Sequence, residues 1–97
     1  MVKHIILWNL KEEFNTAEIR RGMKESLEGL AGSVPGLLKM EIETEPLSSS
    51  NVDVMLYSEF ESEKALKDYS VHPAHIEVAD TKVRPFIKVR TVIDFEA

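Results

Sequence analysis

Val2-Lys3-His4-Ile5-Ile6-Leu7-Trp8-Asn9-Leu10 is the stretch on which the architecture turns. It is short and rich in β-branched and aromatic residues, which marks a strand. Side chains alternate across a strand, so Val2, His4, Ile6, Trp8 and Leu10 share one face, and Lys3, Ile5, Leu7 and Asn9 share the other. Both faces are apolar at the centre. Such a strand meets something other than water on each side, and it belongs inside a sheet covered on both faces.

The remaining elements follow outward from it. Asn15-Thr16-Ala17-Glu18 reads as a helix start, with Asn15 as the cap and Glu18 closing a capping box. Ile19, Met23, Leu27 and Leu30 then recur as one apolar stripe, and Pro35-Gly36 ends the segment. Residues 37–45 alternate Leu38, Met40, Ile42 and Thr44 against Lys39, Glu41, Glu43 and Glu45, a second strand with one polar face. The polar link Pro46-Leu47-Ser48-Ser49-Ser50-Asn51 leads into an antiparallel third strand over 52–60. That strand sets Val52, Val54, Leu56, Ser58 and Phe60 against Asp53, Met55, Tyr57 and Glu59. Ser62 caps a short helix through Ala65, Leu66 and Tyr69, and His72-Pro73 breaks it. A further helix runs from Pro73 through Val83 to Pro85, and a last strand spans 87–95, with Ile87, Val89, Thr91, Ile93 and Phe95 against Lys88, Arg90, Val92 and Asp94.

The order β-α-β-β-α-β predicts one α+β domain over residues 1–97, a ferredoxin-like protomer with a four-stranded antiparallel sheet and its helices on one face. Those helices leave the other face bare. Ile5, Leu7, Met55, Tyr57 and Val92 would then form an exposed patch too large for a typical monomer. A two-fold homodimer packing sheet against sheet removes it.

Composition narrows the partners. Twelve Lys and Arg against seventeen Asp and Glu leave a net charge of −5, with the signs interleaved. Neither nucleic acid nor an anionic membrane is expected as a partner, since phosphate binding needs a basic stripe. With no cysteine, thiolate catalysis, disulfides and Cys-ligated metals drop out. No apolar run approaches the roughly 20 residues that span a bilayer. The first residues lack the pattern of a secretory signal, so a cytoplasmic location is expected.

Few residues can carry chemistry. His72 and His75, with Pro73 between them, make a poor zinc pair, and neither a metal nor a cofactor is expected. Tyr69 and His75 sit on either side of the Pro73 break, which brings their elements together. An imidazole titrating near neutrality beside a phenol can shuttle a proton and steady an oxyanion. The alternative is that Tyr69 packs on Leu66 and Ile76 while His75 braces the turn. His4 is either a hydrogen-bonded core imidazole or the wall of a cavity beneath the helices, and Trp8 is core or cavity wall. Ser48, Ser49 and Ser50 read as linker, and no glycine-rich phosphate loop exists.

Val2-Lys3-His4-Ile5, Val34-Pro35-Gly36-Leu37, Phe60-Glu61-Ser62 and, above all, Tyr69-Ser70-Val71-His72-Pro73-Ala74-His75 resemble the stress-responsive dimeric α/β-barrel (Dabb) family over essentially the whole chain. The resemblance implies the ferredoxin-like protomer and the sheet-on-sheet dimeric α/β barrel. It also implies a small apolar cavity between sheet and helices, bounded by His4, Ile6, Trp8, Met23, Leu27, Val54, Leu56 and His72. Many members have no assigned activity. A plant branch comprises polyketide cyclases that close a poly-β-keto chain by aldol condensation without metal or cofactor. In that branch the acid–base roles fall on the positions of Tyr69 and His75. A second cavity histidine of the cyclases is Val54 here, and aromatic residues of their acyl pocket are Met23, Leu27 and Val78, so the polyketide-reading pocket is altered. The expected function is a homodimeric domain binding a small hydrophobic molecule. The alternative is a cofactor-independent cyclase or aldol-type enzyme, and a haem-degrading or cofactor-free monooxygenase stands third.

Overall fold

Four strands and three helices arise where apolar periodicity and capping side chains place them. The computed structural model describes residues 1–97. In chain order the elements are β1 (Val2–Leu10), α1 (Ala17–Glu28), β2 (Leu37–Glu43), β3 (Val54–Phe60), α2 (Glu63–Ser70), α3 (Pro73–Val78) and β4 (Ile87–Glu96). The sheet runs β2-β3-β1-β4 with every pair antiparallel. Between α3 and β4 the chain widens into one π-turn, Ala79–Val83, and then tightens into a 3-10 turn, Arg84–Phe86.

Hydroxyl and imidazole caps set the helix starts, because the first N–H groups of a helix have no partner within it. The Ala65 amide donates to Ser62 Oγ at 3.1 Å, and the Ala74 amide donates to His72 Nδ1 at 3.1 Å, with Pro73 in the first helical position. The α1 start falls one residue later than the capping-box reading. Thr16, in extended backbone, accepts from the Ile19 amide at 3.2 Å. Asn15 instead closes a 3-10 turn over Glu12–Phe14, and its Oδ1 accepts from Arg20.

The helix-facing side of the sheet is the core. All five inward residues of β1 are buried, including His4 at 7% exposure. Val54, Leu56, Ser58 and Phe60 of β3 join them, with Met40 and Ile42 of β2, Met23 and Leu27 of α1, and Tyr69 of α2. Buried Ser58 is satisfied by donating to the His4 carbonyl at 2.9 Å. β2 stops at Glu43. An irregularity between Leu37 and Lys39 turns Leu37 inward and leaves Leu38 51% exposed, against the simple alternation.

A second irregularity changes the far edge. The β1–β4 register shifts at Asn9/Leu10, so Ile87 pairs with Leu10 while Val89 pairs with Asn9. The extra residue swaps the faces of everything that follows. Val92 lies opposite Ile6, on the helix side, and is not part of the bare face where alternation placed it. Ile93, opposite Ile5, takes that place, together with Val89 and Phe95. The bare face therefore carries Ile5, Leu7, Met55 and Tyr57 at its centre, all half-buried, and Val89, Ile93 and Phe95 at 47%, 58% and 41% exposure. Lys3 and Lys39 stand 5.7 and 5.8 Å from the Tyr57 ring centre, and the Tyr57 hydroxyl donates to Glu59.

Candidate functional site

Between the sheet and the helices lies a cavity of about 210 Å³. Its floor is His4, Ile6 and Trp8 of β1 with Leu56 of β3, and Leu27 of α1 closes one end. Tyr69 comes from α2, His75 from α3, and Ala79 and Val83 from the π-turn, whose wider winding sets both small apolar residues on the wall. Of the residues expected at the wall, Met23 and Val54 are instead fully packed within the core, and the His72 ring caps α3. Leu66, Ser70, Arg84, Ile87 and Arg90 line the cavity without having been anticipated. Arg90 is there because of the shifted register, which no local pattern announces.

Tyr69 and His75 come together as stacked rings, 4.2 Å between centroids at 41°. They do not share a hydrogen bond. The Tyr69 hydroxyl is buried with no partner at all, and the Phe60 ring also packs against the Tyr69 ring, 5.0 Å between centroids. Burial pushes this hydroxyl well above the ordinary tyrosine range, so it stays protonated and available to donate. His75 Nδ1 lies 3.3 Å from the Ser70 carbonyl, which can only accept. That contact puts the proton on Nδ1 and leaves the lone pair on Nε2. Burial holds the His75 pKa below the usual histidine value; the Ser70 carbonyl opposes this, and Arg84, His4 and Arg90 add to it. At neutral pH His75 is an uncharged base.

His4 is held from the other side of the fold. Its Nδ1 meets the Asp94 carboxylate across the β1–β4 ladder, where the two residues are register partners. Asp94 was not foreseen, since it stands far along the chain and on the strand whose faces the irregularity swaps. Beyond this pair a groove of about 730 Å³ opens between α2 and β4, sharing His4, Leu66, Ser70 and Arg90 with the cavity and so forming its mouth.

Over residues 2–97 the chain is matched by the model of the stress responsive A/B barrel domain. The chain belongs to the stress responsive A/B barrel domain family. Among solved structures, this A/B barrel domain is similar to a dimeric protein of unknown function with a ferredoxin-like fold from Bacteroides fragilis, at 27% identity and TM-score 0.88, covering 99% of this chain and 95% of that one. A Dabb family protein from Mesorhizobium loti has 18% identity and TM-score 0.78, over 99% and 95% of the two chains. A hydroxynitrile lyase from Passiflora edulis shares the fold at 15% identity and TM-score 0.82, over 97% and 90%. No curated protein matches the chain in sequence. No helix of this A/B barrel domain is long and apolar enough to cross a membrane.

Proposed function

We propose that this A/B barrel domain is a homodimer in which each protomer binds a small, mostly apolar molecule bearing an oxygen acceptor. The observation that carries the reading is the Tyr69 hydroxyl, buried with nothing to donate to, on a side chain that lines a mostly apolar cavity. An unsatisfied buried polar group costs about 1–3 kcal/mol, a penalty that a ligand oxygen would remove. Size agrees: a dry cavity of about 150 Å³ takes up benzene, and this one, at about 210 Å³, suits a slightly larger body. The dimer is supported by the apolar bare face and by the dimeric Bacteroides fragilis protein. A cytoplasmic setting goes with the cysteine-free composition.

Acetophenone and α-methylstyrene test this, because they share a shape and differ in a carbonyl oxygen against a methylene. The ketone should bind more tightly to the wild type and lose its advantage in Tyr69→Phe. Equal binding of the two by the wild type would overturn the reading.

One observation favours a catalytic version. His75 is kept neutral with its ring packed against the Tyr69 ring. With a ketone in place, Nε2 of His75 would take a proton from the carbon next to the carbonyl while Tyr69 donates to the enolate oxygen. Returning the proton, or adding the enolate to a second carbonyl, completes an exchange or aldol reaction without a cofactor. Exchange of the acetophenone methyl protons in heavy water, followed by NMR, detects the first step. It should vanish in His75→Ala; exchange at the buffer rate with the wild type would leave only binding.

A further inference from the structure

We infer that the molecule taken into the cavity is a carboxylate, with its apolar body against the sheet and its anionic end at the mouth beside Arg90, with Arg84 on the cavity wall within. The inference rests on the cavity being the ligand site and adds the charge of the ligand. Acids outnumber bases seventeen to twelve in the chain, yet the only charged side chains lining the cavity are Arg84 and Arg90, and no Asp or Glu reaches it. Arg84 is paired with Asp80 one helical turn away. The Arg90 guanidinium has neither an ion-pair nor a hydrogen-bond partner, although it borders both the cavity and the groove outside it. Both cations act on His75 electrostatically, so their field reaches the ring that lines the cavity beside Tyr69.

The acids that are near lie farther out. Asp94, Glu61, Glu63 and Glu96 line the outer groove with Lys67, and Asp94 is already engaged by His4. An anion in the groove would meet those carboxylates; just inside it, it meets only guanidinium. A planar carboxylate fits the fork of a free arginine with two parallel hydrogen bonds, and the surrounding apolar wall strengthens them. Arg90 comes from β4 opposite Trp8, so the irregularity that moved Val92 to the helix side put this cation there too.

Hydrocinnamate and benzylacetone separate charge from shape. They have the same outline, so their apolar bodies fill the cavity alike and only the charge at the polar end differs. The wild type should bind the acid about tenfold more tightly, the scale of one charge-assisted hydrogen bond. Raised salt should shrink the gap, Arg90→Gln should abolish it, and Arg90→Lys should retain part of it. Thermal unfolding of Arg90→Gln at the wild-type temperature confirms an intact fold. Equal binding of both probes by the wild type overturns the anion inference and leaves the cavity reading standing. A preference that survives in Arg90→Gln overturns the role given to Arg90. Failure of both probes to bind removes the cavity reading and this inference together.

Discussion

The rings of Tyr69 and His75 lie 4.2 Å apart between centroids, and no hydrogen bond joins them. Their coupling is one of packing and shared burial, and a ligand must enter before a proton can pass between them. Tyr69→Phe should therefore leave the His75 titration, followed by NMR of its ring protons, near its wild-type midpoint. A displacement of more than about one unit, equal to roughly 1.4 kcal/mol, would reveal a bond between the two in the free protein.

The same hydroxyl makes an unusual stability prediction. Most truncations in a core destabilise, but removing the Tyr69 oxygen deletes a buried group that has no partner. Tyr69→Phe should unfold at the wild-type temperature or above it, by a gain of up to about 1–2 kcal/mol, while the ketone's binding advantage is lost. A clear loss of stability in thermal unfolding would mean that the hydroxyl is satisfied in solution.

His75 adds a pH dependence of fixed sign. Its pKa is lowered on folding, so below the ordinary value of 6.5 the unfolded chain takes up a proton that the folded one resists. Its contribution is present above that value and is lost as the pH falls through the folded pKa. Denaturant titrations across this window should show a decline that is shallower in His75→Gln.

Comparing sequence and structure shows which signals are local. Ser62 and the His72-Pro73 break could be read directly because a cap or a proline acts within three or four residues. The Asn15 reading missed by one position, since Asn and Thr are both good caps and only the 3-10 turn before them decides between them. The faces of β4 could not be read at all. Val89, Val92 and Ile93 are all apolar, and only the shifted pairing with β1 tells which of them looks at the helices. Asp94 beside His4 and Arg90 at the cavity mouth were hidden for the same reason.

The outer edge of β2 is sealed from within the chain. Glu28 accepts from the Ile42 amide at 3.0 Å, and Lys24 donates to the Ile42 carbonyl and to Glu28, both at 2.8 Å. Unpaired strand edges invite further strands, so this clip also guards against aggregation. Burial alone would raise the Glu28 pKa, but Lys24 and the Ile42 amide outweigh it and hold it low. The bond to Glu28 lifts Lys24 above its usual value, with burial opposing. The Glu28 contribution is present above the ordinary glutamate value of 4.5 and is lost as the pH falls through the lowered one. That of Lys24 is present below 10.5 and is lost as the pH rises through the raised one. Glu28→Gln should flatten the acid limb of the stability curve, and Lys24→Met the alkaline limb, with more light scattering on heating in both.

Neighbouring residues on β4 give the sharpest test of the dimer. Leu7 sits at the centre of the bare face, and Ile93 shares that face opposite Ile5, whereas Val92 points to the helix side. If two copies pack sheet against sheet, Leu7→Asp buries an unpaired charge at the contact, a loss of roughly 3–5 kcal/mol per buried charge. Sedimentation should then find a monomer for Leu7→Asp and a weakened dimer for Ile93→Asp, while Val92→Asp stays dimeric. Because Val92 and Ile93 are adjacent in sequence and similarly apolar, a difference between them reports the face and not hydrophobicity. A dimer that survives Leu7→Asp would place the contact elsewhere and leave the bare face to some other partner.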